Sequence, residues 1–175
     1  AIARKVMPAL DDNEIGWLEE PFPPHDATSY RLASSFGSTP LAAGENHYTR
    51  YEFNAVLAAG DITIWQPDLS KTGGITEALR IAAMASAHKL PVHPHTSMTG
   101  INMAASIHFL AAIENGGYFE ADVSKANKFR DELVSTPYKL DRDGNVHPLE
   151  GPGIGVEVNE EFLVKHPVID GPAYV

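Results

Sequence analysis

Five short segments of the chain set ionisable side chains beside turn residues: Glu19-Glu20-Pro21, Gly44-Glu45-Asn46, Gln66-Pro67-Asp68, His93-Pro94-His95 and Glu120. Two imidazoles at i and i+2 of an extended segment project to the same side, so His93 and His95 suit either a metal or a proton-transfer role. Each segment also has a plain structural explanation. Glu-Glu before Pro is a solvated turn, Gly-Glu-Asn an ordinary turn tripeptide and Pro67-Asp68 an Asx-turn, while Glu120 beside Asp122 reads as the acidic end of a strand. The order and spacing argue for more: 26 residues separate Glu19 from Glu45, 23 separate Glu45 from Asp68, and 27 separate Asp68 from His95.

Those separations match one strand plus one helix per unit. Short β-rich runs at residues 15–18, 41–43, 62–65, 90–92 and 118–119 alternate with stretches of helical period, the pattern of βα repetition. Residues 1–10 are helix-like without a preceding cap, so the chain reads as starting inside a helix. Thr49-Arg50-Tyr51-Glu52 has the form of a capping box opening a helix over residues 51–59, with Gly60 as its stop. Gly73-Gly74 opens the next helix, whose apolar stripe is Ile75, Leu79, Ala82 and Ala83, ending at His88-Lys89 before Pro91. Every expected strand ends at one of the five chemical segments. In parallel βα architectures that end carries the site.

From about Pro137 the chain turns to short, turn-rich segments such as Asp141-Arg142-Asp143-Gly144-Asn145 and Gly151-Pro152-Gly153-Ile154-Gly155. The expected organisation is α/β: a partial (β/α) barrel of about five strands over residues 1–136, then an appendage over 137–175 that packs on the barrel and the capping region. An eight-fold barrel needs at least about 200 residues, so 175 are too few to close one.

Composition narrows the partners. With 13 Lys+Arg against 23 Asp+Glu the formal net charge is −10 and no basic block exists, which disfavours nucleic acid and anionic membrane. No apolar run reaches the roughly 18 residues of a membrane span, and no basic, apolar leader pattern opens the sequence, so a cytoplasmic location is expected. The absence of cysteine removes disulfides and thiolate chemistry. Small metabolites or proteins remain as partners. His88 at a helix C-terminus and His108 inside a helix read as structural.

Trp17-Leu18-Glu19-Glu20-Pro21, Gly44-Glu45-Asn46, Gln66-Pro67-Asp68 with Lys71 and Gly73-Gly74, His95, and Phe119-Glu120 together resemble the enolase superfamily, mandelate racemase subgroup. The resemblance runs from about Ile15 to the Gly151–Gly155 tail and implies the C-terminal part of a (β/α)7β barrel. It implies Mg²⁺ as cofactor, with Glu19 and Glu45 as metal ligands. It further implies an Asp68–His95 dyad in which Asp68 orients the ring, and Glu120 as an acid opposite the metal. Asn46, His47, Arg50, Lys71 and His93 are then expected around the substrate. The implied chemistry is removal of the proton α to a carboxylate, with the metal stabilising the resulting enediolate. The Gly44–Arg50 segment leans toward the acid-sugar dehydratases of the group, with racemase, epimerase or cycloisomerase as alternatives and a homo-oligomer expected.

Family members take a third metal-binding Asp and a Lys-x-Lys base pair from earlier strands, and a specificity lid from an N-terminal domain; none of these occurs here. A fragment of this kind is expected to be inactive alone, and a chain that only folds and binds acids is a competing reading. His93-x-His95 also permits a zinc hydrolase of the amidohydrolase kind. In that class, however, such a pair lies on the first strand, whereas here carboxylate-bearing strands precede it.

Overall fold

The computed structural model describes residues 2–171. Residue 1 of the expected opening helix and residues 172–175 of the expected appendage lie outside the described residues. The elements are α1 (Ile2–Asp12), β1 (Leu18–Glu19), α2 (Ala27–Ala33), β2 (Leu41–Ala43), α3 (Thr49–Ala59), β3 (Ile64–Trp65), α4 (Gly74–Ala87), α5 (Gly100–Ala112), α6 (Lys128–Asp131) and α7 (Glu160–Lys165).

The strands form one parallel sheet in the order β1-β2-β3, with Leu18 beside Leu41, Ala42 beside Ile64 and Ala43 beside Trp65. Two single parallel bridges, Trp65 to Val92 and Val92 to Gly116, carry the ladder across two more chain passes. Five passes therefore lie side by side, although only three are strands. The fourth is short for a chemical reason: Pro91 and Pro94 have no N–H, so only Val92 and His93 can donate, to Asn115 and Trp65 carbonyls respectively. The fifth pairs at Gly116 and Gly117, two residues earlier than expected. The first also shifts. Ile15 donates to Leu10 to close α1, so pairing starts at Leu18.

The sheet's inner layer and the helices covering it form the main core. Trp65, Phe53, Ile81, Val92 and Phe109 are wholly buried, and the Phe53 and Trp65 ring centroids lie 5.1 Å apart. The buried apolar side of α4 is Ala78, Ile81, Ala82 and Ala85; of the expected stripe Ala82 is buried, whereas Ile75 and Leu79 are 37% and 38% exposed and Ala83 is exposed. Alanines allow close approach of α3 and α5, and the larger aliphatic side chains are left at the flank. At α3 the expected capping box is displaced. The helix starts at Thr49, and the Glu52 carboxylate accepts the Tyr48 N–H at 2.6 Å, while the Thr49 hydroxyl reaches only the Tyr51 N–H at 3.4 Å.

Beyond the sheet, Val134 bridges Val158 and Leu140 bridges Val146, both antiparallel. Leu133, Val134 and Phe162 make a second small core with Val156, drawing residues from both sides of position 136. Arg130 ties this region to the barrel rim by donating to the carbonyls of Asp122 and Ser124, each at 2.8 Å.

Phe53→Ala should cost about 3–5 kcal/mol, because Phe53 has no exposed surface and supports Trp65 under the centre of the sheet. Thermal unfolding of the polypeptide containing this chain is expected to shift down by about 10 °C. A shift below about 2 °C would contradict this packing.

Candidate active site

The site is built where the five passes end. Gly44 sets the first distance: a Cβ there would lie 2.5 Å from the Gln66 backbone, so only glycine lets the ends of β2 and β3 approach this closely. That approach brings Glu45, Gln66 and Asp68 to one rim. Gln66 then donates to Glu19 Oε2 at 2.7 Å, and the Trp17 indole N–H reaches the same oxygen at 3.2 Å. Asn46 donates to Glu20 at 2.8 Å and to Glu45 at 3.3 Å.

Asp68 is entirely buried. The turn after it folds back through Lys71 and Thr72 N–H groups donating to its carbonyl, and Gly73 at φ 116° permits the entry into α4. Its Oδ1 accepts from the Ser70 N–H at 2.7 Å, the Ser70 hydroxyl at 2.6 Å and the Asn102 amide at 3.0 Å. Its Oδ2 lies 2.7 Å from Nδ1 of His95. The Asx-turn and the dyad geometry thus coexist on one carboxylate. The other ring nitrogen, Nε2, is 2.9 Å from Glu45 Oε2, and Lys71 Nζ is 3.2 Å from Glu45 Oε1.

Burial is the largest influence on His95 and opposes charging it. The hydrogen bond to Asp68 and the charges of Glu45, Glu120 and Asp68 together outweigh it, so the pKa lies above its ordinary value. For Asp68, burial likewise opposes ionisation, but donors from His95 and Ser70 hold the pKa below the usual carboxylate range. Glu120 moves the other way. Desolvation of its carboxyl leads, Glu19 and Glu45 add like charge, and the pKa rises despite the Thr96 N–H at 2.7 Å. The Thr96 hydroxyl also bonds the Glu120 carbonyl, fixing this pass to the His95 loop.

One contiguous network therefore joins Glu20, Asn46, Glu45, Lys71, His95 and Asp68, with Glu19 held through Gln66 and Glu120 through Thr96. Three expected substrate contacts are engaged elsewhere. His47 is buried, bonds the Pro24 carbonyl at 3.2 Å and packs on Phe53, and burial lowers its pKa. Arg50 clamps α3 to α4: its guanidinium is 2.6 Å from Glu77, and its backbone N–H donates to the same carboxylate. His93 sits between Trp17 and Tyr118, with ring centroids at 5.2 and 5.3 Å. Its Nδ1 is buried without a partner among the described residues, and burial lowers its pKa. His93 and His95 therefore have separate surroundings.

Among the described residues no group of three or more His, Asp or Glu is arranged to hold a metal. Glu19 and Glu45 are hard oxygen donors, and a cation of the Mg²⁺ type is ordinarily held by one or two carboxylates together with water and substrate oxygens. The donor set fits that use. Sequence reading left Gln66, Ser70 and Asn102 without roles. Gln66 and Ser70 were visible beside the motifs, but Asn102, 34 residues from Asp68 and inside a helix, carried no local signal.

A partial parallel (β/α) barrel with carboxylates and a histidine–aspartate pair on its C-terminal rim is the architecture of the enolase superfamily. Residues 1–162 match the family described as enolase C-terminal domain-like, and the chain belongs to that family. A member of the enolase superfamily from Polaromonas sp. JS666 is 55% identical, with a TM-score of 0.92 over 99% of this chain and 46% of that one. The 3,6-anhydro-D-galactonate cycloisomerase from Zobellia galactanivorans is 30% identical, with a TM-score of 0.85 over 94% of this chain and 46% of that one. Among curated relatives, D-galactonate dehydratase from Verminephrobacter eiseniae is 38% identical over 170 residues, 94% of this chain. The chain spans 44% of that relative's length.

In the metal-free protein the His95 ring should titrate at a higher pH than an ordinary histidine. A histidine whose folded pKa is raised contributes its stabilisation fully below its unfolded pKa and loses it as pH rises through the folded value. NMR titration of the His95 ring, with the denatured protein as reference, checks this. A folded midpoint at or below the denatured one contradicts the charge balance described here.

Proposed function

We propose that this chain supplies the acid–base dyad and two metal ligands of an enzyme that removes the proton α to the carboxylate of a hydroxy acid, the complete protein acting as an acid-sugar dehydratase. The observation that carries this reading is the 2.7 Å contact between His95 Nδ1 and a fully buried Asp68. With Nδ1 committed to Asp68, Nε2, which faces Glu45 at 2.9 Å at the rim, is the nitrogen that exchanges protons with substrate. Similarity to D-galactonate dehydratases supports a sugar acid as substrate and dehydration as the outcome.

Glu19 and Glu45 would hold Mg²⁺, which supplies Lewis-acid stabilisation of charge developing on the substrate carboxylate. His95 takes the α-proton as base. It can then return that proton to the departing β-hydroxyl, so that water leaves and atoms balance with a single histidine. Asp68 holds the ring in one tautomer and stabilises its protonated form. Glu120, biased toward its neutral acid, donates a hydrogen bond to the developing oxyanion. Asn46 and Lys71 restrain Glu45 and stand near the space for the substrate's hydroxyls. His47, Arg50 and His93 act one layer out, shaping the rim through Phe53, Glu77 and Trp17. Similarity to a cycloisomerase supports a second reading, in which the same proton abstraction leads to isomerisation.

The test is exchange of the α-proton of D-galactonate in D₂O with Mg²⁺ and the complete protein, together with product analysis. His95→Asn should slow exchange by about 10²–10⁴-fold. Glu45→Gln should weaken Mg²⁺ binding in a calorimetric titration. Unchanged exchange in His95→Asn would overturn the assignment of the base, and unchanged Mg²⁺ affinity would remove Glu45 from the ligands.

A further inference from the structure

Asp68 has two oxygens and four neighbouring donors, and they are not evenly shared. Among the described residues three donors, from Ser70 N–H, Ser70 Oγ and Asn102 Nδ2, fall on Oδ1, and only His95 reaches Oδ2. The two Ser70 donors come from the turn that Asp68 itself begins and move with it. Asn102 comes from α5, the helix that follows the His95 loop. It is 4% exposed and its own Oδ1 has no partner among the described residues. A buried amide that leaves its oxygen unmatched while giving its N–H to a carboxylate is placed for donation, because packing alone would favour an apolar side chain there.

The geometry assigns Asn102 as a positioning residue for the Asp68–His95 pair. It fixes which carboxylate oxygen faces the imidazole and ties the Asp68 turn to the helix that continues from His95. The two partners are then joined twice, once directly at 2.7 Å and once through α5. Thr99 supports this second link by capping α5, its hydroxyl accepting the Asn102 N–H at 3.1 Å. Without Asn102, Asp68 retains its charge and its local turn but loses the one side-chain donor among the described residues that reaches Oδ1 from another element. The His95 ring is then less tightly held in the tautomer with its proton on Nδ1. This role rests on the proposed dyad, although its structural readout does not need turnover.

The experiment uses the complete protein with Asn102→Leu, close in volume but without a donor, and Asn102→Gln, which keeps the carboxamide. Nitrogen-15 NMR of the histidine rings in the metal-free protein, at a pH above the His95 midpoint where the ring is neutral, reads the His95 tautomer, and steady-state kinetics with Mg²⁺ and D-galactonate read kcat and KM. Asn102→Leu is expected to shift His95 away from the Nδ1–H tautomer and to lower kcat by about 10- to 100-fold with KM nearly unchanged. Asn102→Gln should recover part of both. A His95 tautomer identical to the parent's in folded Asn102→Leu would overturn the assignment. If Asn102→Leu does not fold, Asn102→Gln decides, because a partial loss of the Nδ1–H tautomer accompanied by a partial fall in kcat supports the assignment, and a change in one without the other, or in neither, overturns it. A parent enzyme that shows no turnover while the tautomer still responds would overturn the proposed reaction and leave the positioning role standing.

Discussion

A carboxylate with no exposed surface is the constraint on which this site is built. Asp68 lies without exposed surface between the end of β3 and the start of α4, where an ionised group is tolerated only when donors surround it. Its donors come from its own turn, from the next chain pass and from α5. Satisfying one buried charge therefore fixes the relative placement of β3, the His95 loop and α5. The same contacts that make Asp68 tolerable also aim the imidazole outward at the rim, so the structural requirement and the chemical one are met by one set of hydrogen bonds.

The rim groups its carboxylates around paired donors. Glu45 stands at its centre between Lys71 and His95, with Glu19 and Glu120 close enough to influence protonation across the cluster. Cationic partners on Glu45 offset the repulsion that adjacent carboxylates would otherwise suffer. Neutral donors perform the same service for Glu19, where Gln66 and Trp17 share one oxygen.

Much of the barrel portion was legible locally. Five passes, their order and the chemistry at their ends follow from turn residues, apolar runs and spacing, because these are governed by periods of two to four residues. The errors were also local. Pro91 and Pro94 reduce the fourth pass to a bridge, and the end of α1 absorbs Ile15. On α4, two overlapping apolar stripes satisfy the helical period, and only the packing of α3 and α5 selects the alanine-rich one.

What the sequence determined by itself was the fold family and the set of side chains presented at strand ends, since both are encoded in ordered motifs at fixed spacing. The tertiary structure alone decided their partners. Glu19 meets Gln66 from 47 residues away, Asp68 meets Asn102 from 34, and Arg50 turns to Glu77 rather than to the rim. Such pairings depend on strand register and on the angle at which each helix returns across the sheet. Neither quantity is expressed in any short stretch of residues, so contacts between distant polar groups emerge only when the layers pack.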